Sequence, residues 1–159
     1  MMINLESLKE HRFFSDLTDG ELSIIAKIIT PEDFKIGETV FKTSDAGHSL
    51  YLIRSGEVKV CLAAPDGDLF TLTILKNGDV FGEMGFIDAT PRSATIIAIS
   101  DVDAFVIEKE AFETLIDDHP RMVHKILKNI VHTVHSIVRG MNSRYIEMIN
   151  YMWGRKRFC

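Results

Sequence analysis

Residues Phe81 to Thr95 read FGEMGFIDATPRSAT, and the rest of the chain is interpreted outward from them. The step Gly82-Glu83 marks a sharp turn that needs the freedom of glycine and opens a short helix over Met84 to Asp88. A helix start presents unpaired N–H groups and the positive end of a dipole, and Gly85 carries no side chain to keep an anion away. Pro91 then stiffens the approach to Arg92, whose planar fork grips a phosphate through two parallel hydrogen bonds. Ser93 adds a hydroxyl donor, and Ala94 is small. Glu83 would repel a phosphate unless the same ligand also offers a hydroxyl, which a ribose does. Phosphate and ribose clasped within fifteen residues indicate a compact nucleotide whose phosphate lies close to its sugar. The competing reading is a surface loop in which Glu83 pairs with Arg92 and nothing binds.

The composition bounds these readings. A chain of 159 residues, 46% of them hydrophobic, is long enough for one well-buried domain and an appended helix. Its formal charge of −5 argues against a dedicated nucleic-acid binder, which would show a basic face. Cys61 and Cys159 are too few for a disulfide framework or a metal cluster, and a reducing cytosol suits them. No basic leader precedes an apolar run, and no stretch approaches the ~18 apolar residues of a membrane helix. The expectation is a soluble cytoplasmic protein.

Leu5, Leu8 and Phe13 recur at helical spacing, predicting a short packing helix over Leu5 to Phe14. Thr18-Asp19-Gly20-Glu21 is a capping box that opens a helix running through Ile29 and stopped by Pro31. From Asp33 the period approaches two, with turn residues about every ten positions. Strands are expected at Val40–Lys42, Ser49–Arg54, Glu57–Leu62, Leu69–Leu75, Ser93–Ile99 and Val102–Glu108. Val58, Val60 and Leu62 alternate and are expected to share one inward face. Pro65-Asp66-Gly67-Asp68 closes a hairpin onto Leu69–Leu75. After Glu108 the pattern turns helical, first over Lys109–Asp118 and then from Arg121 toward Trp153.

The FGE step, the aliphatic and small residues after it, and the PRSAT run together resemble the phosphate-binding cassette of cyclic nucleotide-binding domains. That family includes the bacterial cAMP receptor, protein kinase regulatory subunits and cyclic-nucleotide-gated channels. The glycine-punctuated runs Ile36–Phe41 and Tyr51–Val60, with Asn77-Gly78-Asp79-Val80, extend the resemblance over about residues 31 to 108; Ser44 departs from it where many members carry glycine. The resemblance implies a mainly β fold with flanking helices, a β-roll or double-stranded β-helix jelly roll. N-terminal helices would occupy residues 1–30, the roll 31–108 with its cassette at 81–95, and C-terminal helices with a basic tail 109–159. It further implies that Gly82, Glu83, Met84, Gly85, Arg92, Ser93 and Ala94 hold the phosphate and ribose. Val60, Leu62, Leu72 and Thr73 would line the base side, or serve simply as core. A polar residue of the long helix would cover the base, Arg139 first and His135 second, with Asn142, Ser143 and Arg144 beside them. Ser93 after the arginine favours cAMP over cGMP as ligand, and no other cofactor is implied. The long helix would move in response.

Val123, Leu127, Ile130, Val134, Ile137 and Met141 step by four and three residues, a heptad-like stripe that wants a partner. A parallel homodimer is the preferred reading; the alternative is a helix packed wholly on its own domain. Gly140 either hinges this helix or merely weakens it. His132 and His135, with His124 nearby, lack a fourth ligand at metal spacing and read as solvated or interfacial side chains. The aromatic and basic tail Tyr151–Cys159 is a solubilising end or a partner contact. No helix-turn-helix fits after the long helix, so DNA reading is not expected, and the downstream protein partner is unspecified. A jelly-roll metalloenzyme would need clustered histidines, yet none lies between His48 and His119. The expectation is therefore not an enzyme but a cyclic nucleotide sensor, the alternative being a dimeric interaction module of the same fold without a ligand.

Overall fold

The capping box at Thr18 forms as its spacing requires. Thr18 Oγ1 accepts from the Glu21 N–H and Glu21 Oε1 accepts from the Thr18 N–H in a computed structural model that describes residues 3–154. The helix it opens, α2 (Asp19–Ala26), follows α1 (Leu5–Lys9) and a single 3-10 turn at Arg12–Phe14. One continuous helix to Phe14 does not form because His11 is buried between the two pieces. Its Nε2 donates to Ile53 O at 2.9 Å, and its Nδ1 accepts from the Phe13 N–H at 3.2 Å.

The expected end of α2 also needs correcting. It stops at Ala26, and Ile29–Phe34 is instead β1, with Pro31 inside the strand opposite Phe105. β1 lies at the edge of its sheet, where a residue without an N–H can face outward at no cost to the ladder.

The remaining strands are β2 (Thr39–Phe41), β3 (Ser49–Ser55), β4 (Val58–Ala63), β5 (Leu69–Leu75), β6 (Val80–Phe81), β7 (Thr95–Ala98) and β8 (Val102–Glu108). Two expected strands match to the residue, Leu69–Leu75 and Val102–Glu108. The eight strands form two antiparallel sheets of four, ordered β1-β8-β3-β6 and β2-β7-β4-β5. This is the mainly β roll with flanking helices that the sequence implies. Ile53, Val58, Phe81, Ile96 and Ala104 fill the space inside the roll. Leu50, Leu52, Phe105 and Ile107 point outward from the same strands into a second core under the helices, against Leu8, Phe14, Ile25 and Ile126. Strands buried on both faces carry near-continuous apolar runs, which explains the sequence of β8.

A bulge breaks the alternation of β4. Register with β5 shifts between Val60 and Cys61, which turns Cys61 inward and leaves Leu62 40% exposed. The expectation that Val58, Val60 and Leu62 share one buried face therefore fails at Leu62.

Between β6 and β7 lies α3 (Glu83–Asp88), and after β8 come α4 (Lys109–Glu113), shorter than expected, and α5 (Pro120–Trp153). Met122, Val123, Ile126 and Ile130 sink the first half of α5 into the helical core. Beyond them Val134, Ile137 and Met141 are half-buried, so most of the heptad-like stripe packs on its own domain, while Leu127 remains exposed. The last five residues, which carry Cys159 and the basic part of the tail, lie outside the described residues.

Candidate functional site

The strand β6 delivers the chain to Gly82, whose φ of 80° lies in the left-handed region. A Cβ there would sit 2.6 Å from Ser49 O, and one on Gly85 would sit 2.3 Å from Gly47 O. Backbone-to-backbone approach of this kind admits only glycine, and it lays the start of α3 against the loop at residues 43–48. The far end of the cassette is bonded to the same loop. The Arg92 N–H donates to Asp45 O at 2.9 Å, and the Ser44 N–H donates to Arg92 O at 2.7 Å. Ser44 takes a φ of 72° to make this turn.

These contacts fix Arg92. Its side chain is 6% exposed, with Nη1 donating to Gly82 O and Nη2 to Ser49 O, each at 3.0 Å. The guanidinium carbon stands 4.2 Å from the centre of the Phe41 ring. Among the described residues no carboxylate forms an ion pair with it, so the loop reading in which Glu83 neutralises Arg92 does not describe this fold. Burial pulls the Arg92 pKa below the ordinary arginine value, while the surrounding Tyr51, Glu108, Glu83 and Asp45 act to raise it. It remains a cation at neutral pH.

Arg92 faces a cavity of about 160 Å³. At one end lie Gly82, Glu83, Met84 and Gly85 with Pro91, Ser93 and Ala94. At the other are Val60, Leu72 and Thr73 from β4 and β5, closed over by Val134, Ile137 and Met141 of α5. Ten of the residues singled out in the sequence thus converge on one cavity: Gly82, Glu83, Met84, Gly85, Arg92, Ser93, Ala94, Val60, Leu72 and Thr73. Leu62, His135 and Arg139 do not line it. The β4 bulge turns Leu62 outward. His135 and Arg139 are exposed because the face of α5 that meets the cavity carries positions 134, 137 and 141.

Phe41 also lines the cavity and was not singled out as a site residue in the sequence. Phe41 has no motif linking it to Arg92, 51 positions away. Arg144 was one of several polar residues on the helix, and its Nη2 donates to Thr73 Oγ1 at 2.5 Å. The spacing signal for Arg144 was available, since it lies one heptad past Ile137, which lines the cavity. Chemically, the arrangement sets a buried cation and a helix start at one end of an apolar pocket, with a carboxylate at the rim. It can hold an anion attached to a hydroxyl-bearing ring and an apolar or aromatic group.

Comparison with known proteins finds relatives in sequence and in fold. The family model of the cyclic nucleotide-binding domain matches residues 31–119. A CRP-like cAMP-activated global transcriptional regulator of Mycobacterium tuberculosis is 33% identical over 123 residues, covering 77% of this chain and 55% of the regulator. A cAMP-dependent protein kinase regulatory subunit of Hypocrea atroviridis is 38% identical over 109 residues, covering 69% of this chain and 22% of the subunit. The chain thus spans about half the length of the mycobacterial regulator and less of the kinase subunit. Among solved structures, a cyclic nucleotide-binding domain from Methylobacillus flagellatus KT superposes with a TM-score of 0.79 at 25% identity, over 91% of this chain and 81% of that one.

Proposed function

The chain belongs to the cyclic nucleotide-binding domain family, and we propose that it senses a purine cyclic nucleotide, cAMP ahead of cGMP, and reports it through α5. The observation that carries this reading is the buried Arg92 cation, held without a carboxylate partner among the described residues beside a glycine-walled helix start. A buried charge without a counter-ion is costly, and an anionic ligand relieves that cost. In this reading Arg92, Ser93 and the N–H groups at Met84 and Gly85 take the cyclic phosphate, and Glu83 accepts from the ribose 2′-OH. The base lies against Val60, Leu72 and Thr73. Ser93 and the cAMP-activated relative support cAMP. Each of these groups binds, and none is assigned a catalytic step.

The cavity of about 160 Å³ is small beside the roughly 300–1,000 Å³ of ligand pockets, and in this reading it widens as the nucleotide enters. The element able to yield is α5 beyond Ile130, which meets the roll through half-buried Val134, Ile137 and Met141 and through the Arg144–Thr73 bond. A ligand that prefers the widened arrangement shifts α5 toward it. Exposed apolar side chains at Leu127, Val131, Val138, Tyr145, Met148 and Met152 recur along the outer face of α5 at heptad spacing. They support a parallel homodimer through this helix. A downstream protein partner would then read the helix position. Among the described residues no helix is long and apolar enough to cross a membrane, and the unpaired Cys61 suits a reducing cytosol.

Calorimetric titration of the wild type and Arg92→Ala with cAMP and cGMP tests the reading. Binding by the wild type and its loss in the variant are expected. A wild type that binds neither nucleotide at high micromolar concentration refutes it.

A further inference from the structure

Phe41 and Gly47 both lie outside the cassette, on β2 and on the loop that follows it, yet the Phe41 ring faces the Arg92 guanidinium and the space a Gly47 side chain would take is filled by it. The Phe41 ring is itself anchored. It packs on Phe81 at 5.8 Å and on Tyr51 at 6.0 Å between ring centres, and those two rings stack on each other at 4.8 Å. So braced, it presents its face to Arg92 with the guanidinium carbon 4.2 Å away. Gly47 forms another wall: a Cβ there would lie 2.7 Å from Arg92 Nε and 2.9 Å from Nη2. The carbonyls of Gly82 and Ser49 hold the two Nη atoms.

From this cradle we infer that Phe41 and Gly47 are positioning residues for Arg92, aiming the cation into the cavity without neutralising it. The inference rests on the reading of Arg92 as the anion-binding group. An aromatic face and main-chain carbonyls supply a negative field with no formal charge, so the guanidinium tolerates burial and keeps its charge for an anion. A carboxylate in either place would hold the side chain as firmly but cancel that charge. Each carbonyl takes one N–H of the fork, leaving the others to a ligand. Gly47 matters through space alone. An added methyl would meet the end of a flexible side chain, so the fold survives and Arg92 swings away.

The test begins with the ligand-free full chain. The Arg92 Nε–H resonance, assigned by its loss in Arg92→Ala, should be shifted upfield by the ring and exchange slowly with solvent. Phe41→Leu and Gly47→Ala should each move it toward the position of a solvated arginine, whereas Phe41→Tyr should keep it. Affinity for cAMP and cGMP should fall roughly two- to thirty-fold in Phe41→Leu and Gly47→Ala and stay within about two-fold in Phe41→Tyr. If Phe41→Leu does not fold, Gly47→Ala decides. A resonance that ignores both substitutions overturns the inference, as does an affinity loss in Phe41→Tyr equal to that in Phe41→Leu. If the wild type binds neither nucleotide while the resonance responds as expected, the nucleotide reading falls and the positioning role stands.

Discussion

Arg144 on α5 and Thr73 on β5, a residue that lines the cavity, are joined by a hydrogen bond of 2.5 Å. Thr73 is buried whereas Arg144 is exposed, so the bond ties a charged side chain at the surface to a buried hydroxyl. Past Met141 the apolar side chains Tyr145, Ile146 and Met148 of α5 are all more than half exposed, and they do not pin the helix to the roll.

Removing this tie should loosen the helix without unfolding the domain. In Arg144→Ala, amide exchange over residues 141–153 should quicken severalfold, while global stability falls by about 1 kcal/mol or less. Hydrogen exchange read by mass spectrometry checks this, and unchanged protection across that segment would show that the bond holds nothing. Thr73→Val should reproduce the effect, because it removes the acceptor and keeps the volume.

The β4 bulge makes a prediction that simple alternation would reverse. Leu62→Ala should cost under about 0.5 kcal/mol, because the side chain is 40% exposed. Val58→Ala, fully buried in the roll, should cost about 2 kcal/mol. Urea unfolding of the two variants separates them, and equal losses would place Leu62 back in the core.

Ser44 adopts a φ of 72°, a region where a side chain is strained and glycine is not. Ser44→Gly should relieve that strain. The gain is partly offset by the greater freedom of glycine in the unfolded chain, leaving up to about 1 kcal/mol of added stability. A rise in the thermal midpoint is the expected readout, and a fall would mean that the Ser44 side chain contributes more than its backbone costs.

How much of this was legible in the sequence follows from the range of each interaction. The cassette was legible because its parts are local. Gly82, Glu83, Gly85 and Arg92 lie within eleven positions, and each residue type has a chemical reason to be there. The capping box at Thr18 was legible for the same reason. β1 was hidden because Pro31 reads as a helix stop, and only its pairing with β8, more than seventy residues away, makes it an edge strand. The break at His11 depends on Ile53 O, 42 positions distant. On α5 the spacing located the stripe that meets the roll, yet which polar residue bonds to the roll was decided by helix phase. That phase brings the exposed Arg144 within reach of Thr73 and leaves His135 and Arg139 away from the cavity lining.

His11 links stability to pH, and the sign follows from its surroundings. Burial is the main cause that pulls its pKa below the ordinary histidine value, opposed by the bond to Ile53 O; Arg12 and Arg54 push the same way as burial, and Asp79 against it. The neutral ring satisfies both nitrogens, with Nε2–H donating to Ile53 O and Nδ1 accepting from the Phe13 N–H. Protonation would set a second N–H against that of Phe13. Because the folded pKa lies below the unfolded one, the contribution is fully present above the unfolded value of about 6.5 and is lost as pH falls through the folded pKa. The urea midpoint should therefore hold steady from pH 8 to 7 and decline below about pH 6.5, with a shallower decline in His11→Gln. Carboxylate titration also destabilises the fold in acid, so the comparison that matters is the difference between the two profiles. If wild type and His11→Gln run parallel between pH 7 and 5, the buried ring does not titrate with folding.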